Sequence, residues 1–521
     1  MDTVTELGRI CRAFGPDAAA RKARLMEKLI ESRLTRRALR LLAPSLLFLR
    51  AYPDSARIRS LSGRLAARFP ETAIVHPWSY GVLLRLARLE PGGLEISWDD
   101  LENEDALTEA LYLLVSLAES HGLEDIGISL REWIEGSKPR RGVSDLAFLL
   151  DLLGKSPWPP QMRAFLLENA QIPVRYRGPA LPRLALEGVP VACQKRAFDR
   201  KPFPLPAAIR RRPRSIERGG REIIDLALRT LCARTLEIYP LTWADPADVT
   251  VVSDGRGIQV AVAGVRPEWR GSLEVLAFVL VLKNGVPIAY GPARAVLGCC
   301  ELGINLFAEF RGGETRLIYA RFMQALHHVL GVEHFFLTRY GMGENNADAL
   351  RSGAFWFYRK LGFRTTSPAV EKLAREEEAR MASRPGYRSG MRTLRRLSHT
   401  EAHLDLSGGR LRPLDLGRLG TALSRFIGSA FDGDRRLAER RCTAQLRRIL
   451  GAGAPGRSFR ELAPLLCMIP DLPAWSRREK SSLAAFLRAK DAVSEARAAR
   501  LQAAMTRFGD ALHGIAGTGR V

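Results

Sequence analysis

With 521 residues the chain exceeds what one hydrophobic core ordinarily holds, and about three domains are expected. An apolar fraction of 46% and a charged fraction of 26% exclude a disordered chain. No uninterrupted apolar run approaches the ~18 residues of a membrane span; the best candidate, 273–282, carries Glu274 and runs into Lys283. The net charge of +24 admits nucleic acid, acidic surfaces or anionic substrates without choosing among them.

The first residues, Met1-Asp2-Thr3-Val4-Thr5-Glu6, include acidic groups and no apolar segment, so a secretory signal is not expected and a cytoplasmic location is. The seven cysteines are odd in number, scattered and without a C-x-x-C, which argues against a disulfide framework or a zinc ribbon. Cys299 and Cys300 point to opposite faces of a strand and read as two small buried hydrophobes. His399 and His403, spaced i, i+4, would share a face on a helix. Glu401 is misplaced for a metalloprotease and no third ligand is identifiable, so no metal is expected.

Residues 1–175 read as a helical N-terminal domain. Apolar residues recur at helical spacing from Ala18 to Leu41, with a helix end expected at Pro44. Further helices are expected near 59–68, 81–89, 105–119 and 144–154. Residues 176–222 read as a basic, proline-rich linker. Pro179, Pro182, Pro190, Pro202, Pro204, Pro206 and Pro213 break regular structure, and Lys195, Arg196, Arg200, Lys201, Arg210, Arg211, Arg212, Arg214 and Arg218 charge it. Such a stretch is a phosphate-contacting arm or, the preferred reading, a charged connector. One amphipathic helix is expected over 223–240.

Strand signals follow. Residues 257–262 alternate weakly, and 275–282 form a nearly continuous apolar run, as a strand covered on both faces does. Asn284-Gly285 supplies a hairpin turn; 288–297 returns as the next strand and 300–307 as a third. From 369 to 521 the chain is expected to be a basic helical region. Residues 371–521 hold 29 Lys and Arg against 16 Asp and Glu. Such a region binds nucleic acid or covers another domain, and the sequence does not separate the two. The fold class expected is α/β: a central mixed sheet with helices, flanked by mainly helical N-terminal and C-terminal regions.

The chemistry is concentrated in 301–363, in the order strand, glycine loop, helix, strand, helix. Free N–H groups at a helix start just past Arg311-Gly312-Gly313 suit an anion, and a missing Cβ lets a pyrophosphate approach. Phe357-Tyr358-Arg359-Lys360-Leu361-Gly362-Phe363 resembles the FYxKLGF signature of the GNAT-type N-acetyltransferases, with Ala354 four residues before Tyr358. Phe310-Arg311-Gly312 resembles the opening of that family's coenzyme A loop. The resemblance covers about 270–365, with 223–368 taken as the GNAT-like domain. The whole chain resembles a bacterial group in which helical segments flank such a domain.

The resemblance implies acyl transfer from acetyl-CoA or another acyl-CoA to an amine acceptor, without a metal. It implies that Phe310, Arg311, Gly312, Gly313, Thr315 and Arg316 hold the coenzyme. Tyr358 would serve the leaving thiolate, and Glu301 or Glu309 would take the amine proton. Even spacing is expected to set those two carboxylates on one strand face. Outside the family, Tyr358 reads as a core aromatic with a hydrogen-bonded hydroxyl, Glu301 as a solvated strand-end charge, and Phe355, Trp356 and Phe357 as core. The chain departs from the family pattern at Glu314 and Arg316, where later loop glycines stand, and at Arg351, where many members have Asn. A carboxylate at 314 would repel a pyrophosphate and compete for the same N–H groups. Two other readings therefore stand beside the first: an aminoacyl-tRNA-dependent transferase of GNAT-like fold, with tRNA as partner, and a non-catalytic GNAT-like scaffold.

Overall fold

The computed structural model describes residues 3–124, 127–139, 142–199, 201, 203–451 and 456–518. The chain divides into two compact units. One comprises 1–197, 222–243 and 284–287; the other comprises 198–221, 244–283 and 288–521. Most of the amphipathic segment after 222 thus falls with the N-terminal helices, and the C-terminal helices fall with the large sheet.

In the first unit four helices, α1 (Thr3–Ile10), α2 (Pro16–Glu31), α3 (Arg36–Ala51) and α4 (Ala56–Ala67), close around Leu7, Met26, Leu42, Leu46, Leu49 and Leu65. Thr35 and Ser55 cap α3 and α4 by accepting from Ala38 N and Ile58 N. α3 runs through Pro44 instead of ending there. The proline removes one helical hydrogen bond, and the burial of Leu42, Leu46, Leu47, Phe48 and Leu49 around it offsets that loss. Lys22 and Asp54, both buried, pair at 2.8 Å.

The same unit holds a three-stranded antiparallel sheet of β1 (Thr72–His76), β2 (Leu94–Ile96) and β3 (Val174–Gly178), in the order β1-β3-β2. The region read as wholly helical therefore carries strands. β3 also takes in the first residues of the expected linker. The single helix expected at 105–119 is two, Glu104–Tyr112 and Leu117–Glu124. That expected at 223–240 is Arg221–Cys232 followed by the single turn Tyr239–Thr242.

The second unit is built on a ten-stranded mixed sheet. Its strands are β4 (Ser215–Arg218), β5 (Ala244–Ser253), β6 (Ile258–Val265), β7 (Val275–Lys283), β8 (Val286–Val296), β9 (Cys299–Leu302), β10 (Asn305–Leu306), β11 (His334–Leu337), β12 (Arg364–Thr365) and β13 (Ala402–Asp405). The order is β12-β13-β11-β9-β8-β7-β6-β5-β4, with β10 on β8. Asn284 and Gly285 both take positive φ, 51° and 79°, as the expected hairpin turn requires. β9 and β11 are parallel, bridged by the helix Thr315–Leu330, whereas β11–β13, β8–β9, β6–β7 and β5–β6 are antiparallel.

Within the basic part of the expected linker, after 195, regular structure begins at Leu205. Its helix Leu205–Arg210 and strand β4 join this unit, and the carbonyl of Arg211 accepts from Gln324 (2.6 Å). Arg200 and Pro202 lie outside the described residues. The C-terminal helices between Leu416 and Thr518 cover Val296 of the sheet and the adjoining Leu273 and Leu297 with Leu446, Leu466, Phe486 and Leu512. Buried charges fasten that cover. Lys490 Nζ pairs with Glu495 at 3.0 Å and donates to Glu274 O, and Glu495 N donates to Asp248. Among the described residues no helix is long and apolar enough to cross a membrane.

Candidate active site

The parallel pair β9–β11 is in register over three residues: Cys299 with His334, Cys300 with Phe335, and Glu301 with Phe336. There the ladder stops. Gly303 interrupts the strand, and the backbone approaches β8 so closely that a Cβ on Gly291 would fall 1.6 Å from Gly303 O. The chain resumes as β10 against β8. The Ile304 carbonyl, left off the ladder, accepts from Tyr319 Oη (3.3 Å), and Tyr319 Oη lies 3.5 Å from Tyr358 Oη. A buried file of backbone carbonyl, tyrosine and tyrosine thus stands where the two parallel strands part.

Tyr358 belongs to the helix Ala354–Leu361, set edge-on to Tyr319, Phe357 and Phe363. Burial pushes its hydroxyl well above the usual tyrosine range, and Tyr319 adds to the effect. The last helix of the expected strand, loop, helix, strand, helix order is two helices, Ala347–Ser352 and Ala354–Leu361, broken at Gly353 with φ +68°. Arg359, buried, bonds both Glu371 and Glu378 and so fixes the second half.

The loop follows β10 and leads into the helix that carries Tyr319. Phe307 leads into a 3-10 turn, Ala308–Phe310, with Phe310 buried. Gly312 takes φ +80°, and the helix Thr315–Leu330 begins with no side-chain cap. Phe310, Arg311, Gly312, Gly313, Thr315 and Arg316 are therefore brought together around one helix start. Glu314, the N-cap residue, does not turn its carboxylate onto the helix N–H groups: it pairs with buried Lys283 Nζ at 3.5 Å and is 16% exposed. The expected competition with an anion is absent in that arrangement, because the charge is matched within the fold.

The expected pairing of Glu301 and Glu309 is corrected. Gly303 ends β9, so Glu309 sits in the 3-10 turn and shares no strand face with Glu301. Glu301, 26% exposed, is engaged by Arg294, its cross-strand partner on β8. Among the described residues the hydrogen-bond partner of Tyr358 is Tyr319, and neither carboxylate reaches it.

Sequence reasoning missed three participants. Tyr319 belongs to none of the motifs read from the sequence, and the Ile304 carbonyl carries no side-chain signal. The third is the segment before the helix Leu205–Arg210. A Cβ on Gly313 would lie 3.3 Å from the Phe198 ring. Arg316 donates to Phe203 O (2.8 Å) and Lys360 O (3.2 Å), with its guanidinium 5.0 Å over the Phe203 ring.

His399 and His403 are not on one helix. His399 follows the helix Met391–Ser398 and bonds Glu344 (2.6 Å), whereas His403 lies in β13, 3.1 Å from His334. Among the described residues no three His, Cys, Asp or Glu are grouped to hold a metal. No family model, curated protein or solved structure matches this chain.

Proposed function

We propose that the parting of β9 and β11 is an acyl-CoA site of GNAT type, and that the protein moves an acyl group from acyl-CoA to an amine. The observation that carries this reading is the placement of the uncapped, glycine-opened helix start at 312–315 and the Tyr358–Tyr319–Ile304 file on the same break in the sheet. A helix start of this kind suits a pyrophosphate. In this reading the amine nitrogen attacks the thioester carbonyl, the C–S bond breaks, and the sulfur leaves as a thiolate. A tyrosine whose proton is held this tightly serves by hydrogen-bonding the developing thiolate rather than by giving up its proton. The amine's proton goes to a carboxylate at this edge, Glu301 or Glu309, of which Glu301 also pairs with Arg294.

One observation favours the rival readings, a transferase fed by aminoacyl-tRNA or a non-catalytic scaffold: Phe198 and Phe203 cover the loop that the pyrophosphate would need. Calorimetric titration of the full chain with acetyl-CoA and longer acyl-CoAs decides. Saturable binding that Gly312→Val abolishes and Phe198→Ala tightens supports the acyl-CoA site. Tyr358→Phe is then expected to keep binding and lower turnover. No binding by either the parent or Phe198→Ala, in folded protein, ends this reading.

A further inference from the structure

A cavity lies wholly within the first unit, far in sequence from the loop just described. It has a volume of about 420 Å³ and is lined by Arg50, Arg59, Arg64, Arg183 and Glu187. That volume is in the range of small-molecule sites. Four guanidiniums face one carboxylate, leaving three positive charges unmatched inside the lining.

The arginines differ in how they are held. Arg50, at the end of α3, is 4% exposed; its Nη1 donates to Pro182 O and its Nη2 to Glu187 (3.2 Å). Its Nε is buried and has no hydrogen-bond partner. Arg59, on α4, donates to Arg50 O (2.6 Å), which brings a second guanidinium alongside the first. Burial lowers the pKa of both, and for Arg50 the neighbouring Arg59 adds to the effect. Arg64 and Arg183 are exposed on the rim, and their guanidiniums make no hydrogen bond or ion pair among the described residues.

A fold has no use for this arrangement by itself: like charges are packed together and a buried donor is left unmade, which costs stability. Glu187 is a weak internal answer. It is 78% exposed, reaches only Nη2, and leaves the Nε of the same guanidinium edge empty. That edge is the one a planar oxyanion takes with two parallel hydrogen bonds. The wall opposite is made low. Ser60, Gly63 and Ala67 follow one another along α4, and a Cβ on Gly63 would meet nothing within 4 Å. A ligand therefore has open space against the helix backbone.

The geometry points to a binding site for a small phosphate-bearing molecule, its phosphoryl group on Arg50 and Arg59 in place of Glu187, with Arg64 and Arg183 closing from the rim. A phosphate, with about two negative charges, matches the unmatched three better than a monocarboxylate does.

The test is titration of the full chain with inorganic phosphate and inorganic pyrophosphate at fixed ionic strength, with acetate and a single-stranded RNA as comparison ligands. Saturable phosphate or pyrophosphate binding is expected. It should weaken about tenfold or more in Arg64→Ala/Arg183→Ala, tighten in Glu187→Gln, and vanish in Gly63→Leu, which fills open space without touching the charges. All four substitutions are on exposed or unfilled positions, and the melting temperature of each of the three variants reports whether it is folded. Binding that is non-saturable, unchanged in the double variant, or matched by acetate overturns the proposal. So does RNA binding that the same variants abolish while phosphate shows none. Acetyl-CoA binding by these variants stays at the parent's level, so failure here and failure of the acyltransferase reading are separately visible.

Discussion

The loop at 307–316 and the cavity along α4 both carry arginines, yet their charges are in different states. At the loop, Arg316 is committed to two carbonyls and a ring, Arg311 Nε donates to Leu306 O, and Glu314 is matched by Lys283. In the cavity, Arg64 and Arg183 carry unmatched charge, while a buried Nε without a partner occurs in both places, on Arg50 and on Arg316. The loop gains its interest from backbone geometry, and the cavity gains its interest from charge. A net charge of +24 thus says little until each guanidinium is assigned its partner.

The comparison predicts that removing a committed charge changes stability, whereas removing an uncommitted one changes binding. The largest effect is expected at Lys490, buried on Glu495 and Glu274 O. Lys490→Ala leaves Glu495 buried with Arg270 as its remaining ion-pair partner, and is expected to cost about 3–5 kcal/mol in urea unfolding. A loss under about 1 kcal/mol would break the distinction.

A smaller effect is set by pH. Burial, with His334 beside it, pushes His403 down to about 4. Between the ordinary histidine value of about 6.5 and that value, the unfolded chain takes a proton that the folded chain refuses. Stability is therefore expected to fall as pH falls from about 6.5 to 4, by roughly 2–3 kcal/mol from this group. His403→Asn should flatten that slope; an unchanged slope would remove His403 as its source. Smallest of all, Arg64→Ala and Arg212→Ala, both exposed, should each stay within about 0.5 kcal/mol of the parent in the same unfolding assay. A larger shift would show that an exposed guanidinium is committed after all.

The sequence made the middle of the large sheet legible because local signals and tertiary fate agree there. The apolar run of β7, the Asn284-Gly285 turn and the glycine before Thr315 each act over a few residues. What it hid depends on distant partners. β13 enters the sheet between β11 and β12 from 65 residues beyond β11, and its His399-to-His403 stretch carries no strand pattern. Pro44 is outweighed by the core around α3. The parity argument for Glu301 and Glu309 failed because Gly303 ends the strand, a backbone event that side-chain alternation does not register. The candidate site was legible in its loop and in Tyr358. Tyr319, Phe198 and Phe203 were not, because each matters only through what it packs against.

The most direct test of the central claim is calorimetry of acetyl-CoA binding to three full-length proteins side by side: the parent, Gly312→Val and Arg64→Ala/Arg183→Ala. The account predicts saturable binding in the parent, retained in the arginine double variant and lost in Gly312→Val. Absence of binding in a folded parent, or binding that survives Gly312→Val and disappears with the rim arginines, would contradict it.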